Sequence, residues 1–359
     1  MKVVIRTDSS AARGSGHIMR CLTLAAELRP RGAETVFICR ELPGDLSQFV
    51  ESMGFPVHRL PALDSEFKSE SEHAAWHEGL WLSDAEDTRA VLESLPRQDW
   101  LVVDSYDIDS RWEKKLRPIV GRIMVIDDLA DRSHDCDLLL DQNFYRDLDQ
   151  RYQGLVPDKC ITLLGPEYVL LRPEFTEAKQ RLRSRDGNIQ RILVCFGGSD
   201  PTNETQKVVE ALTLINRSDL WTDIVVGAVN PKRSIIQSLC DKLANATFYC
   251  QVSNMSELIQ KADLGVGAGG SAMWERCYLG LPTITVVIAA NQESTTKDVA
   301  SIGAIHYLGW SSHIQADDYA HAIAWMSDNQ QKVKEISNAA LEVLRPSGKS
   351  IVEMMFSFF

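Results

Sequence analysis

A histidine follows two closely spaced glycines near the N-terminus of the chain. Gly14, Gly16 and His17 lie between the strand-like run Val3 to Arg6 and an amphipathic stretch from Ile18 to Arg29. A glycine-rich turn between strand and helix lets backbone N–H groups approach a phosphate. No third glycine follows Gly16 three residues later, so the spacing is not the dinucleotide fingerprint. The segment predicts a phosphate-side turn with His17 facing a cleft, and a tight turn with a packed or capping histidine is the alternative.

Two further glycine-rich turns lie in the second half of the sequence. Gly197 to Asp200 follows the apolar run Ile192 to Phe196, and Gly265 to Ser271 precedes Glu275 by a few residues. Two such turns in one domain indicate a nucleoside diphosphate held by backbone amides and hydroxyls. Glu275 would then accept hydrogen bonds from a ribose. The alternative is that the glycines only permit close packing and that Glu275 is a solvated helix residue.

Polar residues also follow several other predicted strands. Asn291 to Thr296 follows the run Ile284 to Val287, and Asp104, Asp127 and Asp128 end runs in the first half. Ligands bind at the carboxyl ends of the strands in open α/β sheets. These residues are therefore placed to contact a sugar, although helix N-caps would explain the same composition.

Short apolar runs alternate with amphipathic stretches along the chain, which predicts βα units and mainly parallel sheets. The predicted strands are Val3–Arg6, Thr35–Ile38, Leu101–Val103, Arg122–Ile126, Leu138–Leu140, Ile161–Leu164, Ile192–Phe196, Ile224–Val226, Ala246–Tyr249, Leu264–Val266 and Ile284–Val287. We predict an α/β fold of two Rossmann-like domains facing a cleft, residues 1–171 and 172–345. The apolar segment 346–359 is predicted to form a helix that packs back on the first domain.

Composition restricts the class of protein. The net charge is −12 with no cluster of Lys and Arg, which argues against a nucleic-acid partner. Eight scattered cysteines without a CxxC pair indicate buried thiols in a reducing compartment. No signal peptide and no apolar run of roughly 20 residues is present. We expect a cytoplasmic monomer that does not insert into membranes.

Metal binding is not expected from this sequence. His73 and His77 have the spacing of a zinc pair, but no HExxH and no third ligand accompany them, so a solvated helix face is the interpretation. They belong to an insertion from Ser65 to Asp87 that is predicted to be a surface helix or loop. No Asp-x-Asp motif is present either. We predict that the protein uses neither a metal nor another cofactor.

Taken together, the motifs resemble the UDP-2,4-diacetamido-2,4,6-trideoxy-β-L-altropyranose hydrolase (PseG) family of pseudaminic acid biosynthesis. The motifs, which span about residues 1–305, are Arg6-x-Asp8-Ser9-Ser10, Gly14-x-Gly16-His17-x-x-Arg20, Asp104-Ser105-Tyr106, Asp127-Asp128, Gly154-Leu155-Val156-Pro157, Gly197-Gly198-Ser199-Asp200 and Asn291-Gln292-Glu293-Ser294. That family is similar to inverting GT-B glycosyltransferases, in which the C-terminal domain holds most of the UDP.

The resemblance implies roles for individual residues. His17 would be the catalytic residue that positions and activates water, and Tyr106 and Asn291 would lie near the sugar, with Glu275 at the ribose. An imidazole suits the base because its unperturbed pKa of about 6.5 lies near working pH. The predicted substrate-binding residues are Arg13, Gly14, Gly16, Tyr106, Gly198, Ser199, Met255, Gly270, Ser271, Glu275, Asn291 and Gln292.

The expected reaction is hydrolysis of a UDP-linked 2,4-diacetamido-2,4,6-trideoxy hexose, with inversion at the anomeric carbon. Three other functions stay open. A GT-B glycosyltransferase would pass the sugar to an acceptor, and a UDP-sugar 2-epimerase would change the configuration at C2. A non-catalytic protein would bind the nucleotide sugar without turnover.

Overall fold

Two parallel β-sheets, one of seven strands and one of six, form the framework of the computed structural model. The structure describes residues 1–10, 13–62, 80–345 and 350–359. The chain divides into two compact units. The first comprises Met1–Asn143, Asp147–Leu170 and Gly348–Phe359, and the second comprises Phe144–Arg146 and Leu171–Ser347.

The first unit is a doubly wound sheet with the strand order β3-β2-β1-β4-β5-β6-β7. Its strands are β1 Lys2–Thr7, β2 Glu34–Arg40, β3 Val57–Leu60, β4 Trp100–Asp104, β5 Arg122–Ile126, β6 Leu138–Asp141 and β7 Ile161–Leu164. Its described helices before residue 170 are α1 Gly16–Leu28, α2 Ser47–Ser52, α3 Trp81–Ser94 and α4 Ser110–Leu116. Because β1 lies between β2 and β4, the chain order reverses at the boundary between β1 and β4.

The second unit repeats this plan with the strand order β10-β9-β8-β11-β12-β13. Its strands are β8 Arg191–Cys195, β9 Trp221–Val226, β10 Ala246–Cys250, β11 Leu264–Ala268, β12 Thr283–Val287 and β13 His306–Trp310. Its helices are α5 Pro173–Lys179, α6 Glu204–Ile215, α7 Arg233–Cys240, α8 Met255–Lys261, α9 Ala272–Tyr278, α10 Glu293–Ser301, α11 Ala316–Asp328 and α12 Gln330–Val343. The order of the strands reverses here between β8 and β11.

Successive residues of β1 enter two different hydrophobic cores. Val3 and Ile5 pack with Ile18 of α1 on one face of the sheet. Val4 packs with Trp112 of α4 on the other face. Side chains of a strand alternate between the faces of the sheet, so the unbroken apolar run of β1 is what a strand covered on both faces requires.

A last helix, α13 Ile351–Phe356, returns to the first unit. Ile351, Val352 and Met355 are buried in the core that contains the β1 residues. The helix begins with a capping box, in which the Ser350 hydroxyl accepts from the N–H of Glu353 at 3.2 Å and the Glu353 carboxylate accepts from the N–H of Ser350 at 3.0 Å. Burial of its apolar face therefore holds this short helix in place.

Met355→Ala is expected to lower the free energy of unfolding by about 2 kcal/mol, because it removes a fully buried side chain and leaves a cavity. The exposed fraction of Met355 is 0%, whereas that of Phe359 is 68%. Phe359→Ala is therefore the matched control and should cost well under half as much. Urea unfolding of both variants measures the difference, and equal losses would contradict the packing role of Met355.

All eleven predicted strands are confirmed, and two others, β3 and β13, were not predicted. Both are edge strands with partly exposed residues, so neither shows the apolar run of the central strands. Pro56 precedes β3, and the pairing of β13 contains a register shift beside Gly309. His73 and His77, which were interpreted as part of a solvated helix face, lie outside the described residues.

Candidate functional site

His17 is held at the carboxyl ends of two adjacent strands of the first sheet. It lies in the first turn of α1, and its Nδ1 is 2.5 Å from Oδ1 of Asp104, the last residue of β4. β1 and β4 are the neighbouring strands at which the order of the sheet reverses. Ligands of doubly wound folds bind at such switch points. The first unit therefore places a histidine–carboxylate pair where this type of fold binds ligands.

The charges around Asp104 determine which nitrogen of His17 carries a proton. Burial alone would raise the pKa of the Asp104 carboxyl, but Arg20 and His17 outweigh burial and hold the pKa well below its usual range. An ionised carboxylate only accepts hydrogen bonds, so Nδ1 of His17 donates to Asp104. In the neutral form of the imidazole, the lone pair is then on Nε2. Because 12% of the His17 side chain is exposed, Nε2 can act as a general base and accept a proton from a bound water.

Arg20 fixes the position of this carboxylate. Its Nε and Nη2 donate to the two oxygens of Asp104 at 2.6 and 2.7 Å, and its Nη1 donates to Asp128 at 2.9 Å. Bidentate pairs of this kind restrict orientation as well as distance. The histidine, its acceptor and the arginine thus form a buried network across the ends of β1, β4 and β5.

Tyr106 lies against the candidate base. Its ring meets that of His17 edge-on, with 4.4 Å between the centroids. Burial raises the pKa of the Tyr106 hydroxyl, and the charge and hydrogen bond of Asp128 raise it further. The phenol therefore keeps its proton at neutral pH and remains a donor beside His17.

The two predicted glycines of the turn before α1 have different environments. Gly14 has a φ of +78°, which an L side chain adopts only with strain, and its N–H donates to the carbonyl of Ser10 at 2.9 Å. Arg13 donates its own N–H to the Ser10 hydroxyl and pairs with Asp107 at 2.5 Å. Gly16 is exposed and begins α1. The Gly14 amide is thus engaged in the turn, whereas the Gly16 amide is one of the open donors of a helix N-terminus.

A second buried carboxyl lies at the same edge of the sheet and titrates near neutral pH. Burial raises the pKa of Asp141 to about 7, although Arg151 opposes the shift. Arg151 donates to Asp141 at 2.9 Å and to the carbonyl of Asp128 at 2.6 Å. The network around His17 therefore extends along the carboxyl edge to the end of β6.

In the second unit, Gly198 and Ser199 form the turn after β8, and both are partly exposed. Asp200 closes this turn, because its carboxylate accepts from the N–H groups of Glu204 and Thr205 at 2.9 Å each. Asp200 therefore satisfies the first two N–H groups of α6, whose N-cap residue is Asn203. The turn lies at the carboxyl end of β8.

The turns after β11 and β12 contact one another. A Cβ placed on Gly270 would lie 3.2 Å from Nε2 of Gln292, whose Oε1 accepts from the N–H of Ile288 at 3.2 Å. Ser271 and Asn291 are exposed in these turns. The structure thus brings together four of the predicted substrate-binding residues. A fifth, Met255, begins α8, which follows the edge strand β10, and β9 lies between β10 and β8.

Glu275 is held by an ion pair that the sequence did not indicate. Nη2 of Arg172 donates to Glu275 at 3.0 Å, and Nη1 of Arg172 is 3.2 Å from Glu174. Burial raises the pKa of Glu275, while the charge of Arg172 lowers it. The side chain keeps 20% exposure, so its carboxylate remains able to accept from a ligand hydroxyl.

Comparison with known proteins shows two similarities that bear on this site. Residues 192–342 match the C-terminal domain of glycosyltransferase family 28. Over 304 residues the chain is 27% identical to UDP-2,4-diacetamido-2,4,6-trideoxy-β-L-altropyranose hydrolase of Campylobacter jejuni, with 84% of this chain and 97% of that protein covered. The chain is thus similar to a PseG hydrolase over most of its length.

Two further similarities define the extent and fold of this PseG-like chain. It is 27% identical over 292 residues to an uncharacterized protein of Methanocaldococcus jannaschii, covering 80% of this chain but 55% of that protein. The chain thus spans about half the length of that relative. The structure is similar to Acinetobacter baumannii MurG with a TM-score of 0.66 and 14% identity, covering 99% of this chain and 100% of MurG. This similarity confirms the predicted two-domain GT-B fold.

Among the residues that the structure describes, no helix of the PseG-like chain is long and apolar enough to cross a membrane. Within the same ranges, no group of three His, Cys, Asp or Glu side chains is arranged to hold a metal ion.

Three arginines of these networks, Arg20, Arg151 and Arg172, had no role predicted from the sequence. The signal for Arg20 was its position one helical turn after His17, which places both side chains on one face of α1.

Proposed function

We propose that the protein hydrolyses a UDP-linked 2,4-diacetamido-2,4,6-trideoxy hexose to UDP and the free sugar. It would act as a cytoplasmic monomer and catalyse a step of pseudaminic acid biosynthesis. The observation that carries the proposal is the pair of His17 and Asp104 at the switch point of the first sheet. The similarity to the Campylobacter jejuni hydrolase supports the choice of substrate.

In the proposed reaction, Nε2 of His17 accepts a proton from water as the water oxygen bonds to the anomeric carbon. The bond from that carbon to the UDP oxygen breaks, and its electron pair leaves with UDP. Attack from the side opposite the leaving group inverts the anomeric configuration. Asp104 stabilises the imidazolium that forms, and Arg20 keeps Asp104 ionised. Such general base catalysis contributes about 10²- to 10⁴-fold in rate.

The second unit is proposed to bind the nucleotide. Backbone donors of the turns at Gly198–Ser199 and Gly270–Ser271 would hold the diphosphate, Glu275 the ribose, and Asn291 and Gln292 the sugar. These backbone donors would already be in position when negative charge develops on the departing UDP, and they would therefore stabilise the transition state. The proposal therefore needs neither a metal nor a cofactor.

A proton NMR time course in H₂¹⁸O tests the proposal. The purified protein is incubated with UDP-2,4-diacetamido-2,4,6-trideoxy-β-L-altropyranose, and with UDP-N-acetylglucosamine in parallel. We expect UDP and the free sugar with inverted anomeric configuration, and mass spectrometry should find ¹⁸O in the sugar. Label in the phosphate would show attack at phosphorus, and absence of release would reject the hydrolase.

A glycosyltransferase is the second candidate, because the matched domain of residues 192–342 belongs to a glycosyltransferase family. A transferase would release little sugar in water and would consume the nucleotide sugar only after an acceptor is added. A product with altered configuration at C2 would instead indicate an epimerase. The same NMR spectra separate these outcomes.

Glu275→Gln is expected to weaken UDP binding about 10- to 100-fold, because a hydrogen bond to a charged acceptor is worth about 1.5–3 kcal/mol. Glu174→Gln is the matched control, since Glu174 contacts the same Arg172 side chain at 3.2 Å. Its UDP affinity should stay within about twofold of the wild type. Isothermal titration with UDP measures both, and equal losses would show that Glu275 acts only as a partner of Arg172.

A further inference from the structure

Arg276 of α9 is a buried cation with few partners. Its side chain is 3% exposed, and its one hydrogen bond among the described residues runs from Nη2 to the carbonyl of Ala268 at 2.6 Å. Its Nε is buried without an acceptor there. Among the described carboxylates, that of the adjacent Glu275 is the one that interacts electrostatically with Arg276. The Glu275 carboxylate is already paired with Arg172. Burial accordingly lowers the pKa of Arg276.

Another buried arginine of the same unit shows how an arginine is held for structural reasons alone. Arg185 is 9% exposed and donates to the backbone carbonyls of four residues. These residues are Ile259, Ala262, Leu279 and Gly280. Arg185 therefore has its charge spread over several acceptors, whereas Arg276 has one.

The glycines of β11 make room for Arg276. A Cβ on Gly265 would lie 3.2 Å from Cδ of Arg276, and a Cβ on Gly267 would lie 2.9 Å from its Nη1. Residues two apart on a strand face the same side, so the arginine stem runs along the face that both glycines leave open. The alternation of glycine in Leu264–Ala268 thus serves the packing of this side chain.

The guanidinium lies beside the ends of β8 and β11, the two strands that precede the turns proposed to hold the diphosphate. Ala268, whose carbonyl it binds, directly precedes Gly269. A Cβ on Gly267 would also lie 2.5 Å from the carbonyl oxygen of Cys195, the residue that ends β8. The charge is therefore concentrated where β8 and β11 both end.

A buried charge without compensation is costly to the folded state. We propose that Arg276 is a positioning residue for the diphosphate of the ligand: its buried charge attracts the diphosphate to the two turns, and its bond to Ala268 orients the second turn. This inference rests on the proposed function of the second unit as the nucleotide-binding unit. The anion supplies the compensation that the described protein lacks.

The test replaces Arg276 by methionine in the full chain and measures thermal unfolding together with the affinities for UDP and for uridine. Replacing a poorly paired buried charge by an apolar side chain of similar length is often neutral or stabilising. We expect an unchanged or higher Tm, a roughly tenfold weaker UDP affinity and unchanged binding of uridine, which carries no phosphate. Arg276→Lys keeps the charge and should retain most of the UDP affinity.

Arg185→Met is the matched control. It should lower the Tm because it removes the arginine's hydrogen bonds to four carbonyls, of which those of Ala262 and Gly280 keep another donor. The folded fraction should bind UDP as the wild type does. Equal loss of UDP and uridine affinity in Arg276→Met would overturn the inference, and so would unfolding of both Arg276→Met and Arg276→Gln. If Arg276→Met weakens UDP binding but the wild type does not hydrolyse the sugar nucleotide, only the proposed hydrolase is rejected. If the wild type hydrolyses it but Arg276→Met binds UDP normally, only the role of Arg276 is rejected.

Discussion

His17→Ala is expected to lower kcat by about 10²- to 10⁴-fold while leaving the fold and the affinity for UDP nearly unchanged. The loss follows because Nε2 is the group proposed to take the proton of the attacking water. Stability should be retained because Asp104 keeps its bidentate contact with Arg20 when the imidazole is removed. Release of UDP from the sugar nucleotide, followed by NMR, measures the rate.

Two controls separate this chemical role from a structural one. His17→Gln keeps a hydrogen-bonding side chain but has no basic nitrogen, so it should lose as much activity as His17→Ala. His321→Ala removes an exposed histidine of α11 and should retain wild-type turnover. Near-normal turnover of a folded His17→Ala protein would reject the proposed mechanism.

Asp84→Asn is expected to lower the free energy of unfolding by about 3–5 kcal/mol, the usual effect of removing one partner from a buried ion pair. Asp84 has no exposed surface, and its carboxylate accepts from Arg6 at 2.7 Å, from Arg40 at 2.7 Å and from the indole of Trp112 at 2.9 Å. It ties α3 to β1, β2 and α4. Replacement would leave the two arginines buried with insufficient negative charge.

Asp87→Asn is the matched control, because Asp87 contacts the same Arg40 at 2.9 Å but is 31% exposed. Exposed pairs contribute about 0–1 kcal/mol, so this variant should be nearly as stable as the wild type. Urea unfolding at pH 7 compares the three proteins. Similar stabilities of Asp84→Asn and Asp87→Asn would show that the buried cluster is not a major source of stability.

The contribution of Asp84 should also depend on pH. Burial alone would raise the pKa of Asp84, but Arg6 and Arg40 outweigh it and lower the pKa in the folded state. The stabilisation is complete above the unfolded pKa of about 3.9 and is lost as the pH falls through the lower folded value. The difference between wild type and Asp84→Asn should therefore be constant from about pH 5 to 8 and shrink below about pH 4. A constant difference down to pH 2 would contradict this assignment.

Local patterns were sufficient for the central strands and for the edge of the sheet at which ligands bind. The apolar runs of β1 and β8 indicate strands covered on both faces, and parallel strands place all their carboxyl ends at one edge. That reasoning predicted polar residues at such ends, and in the structure Asp104 ends β4 and Gln292 follows β12. It found the edge strands β7 and β10 but missed the edge strands β3 and β13, whose mixed residues form no apolar run.

Long-range pairings could not be read from the chain. Asp104 was compatible with a helix cap or a site, and its contact with His17 depends on β1 and β4 becoming neighbours across 87 positions of sequence. Arg276 resembles any helix arginine until the glycines of β11 are seen to enclose it. Periodicity and turn chemistry are local properties, so the sequence carries them directly. The charge state of a carboxylate depends on burial and on partners distant in the chain, and these exist only once the sheets have formed.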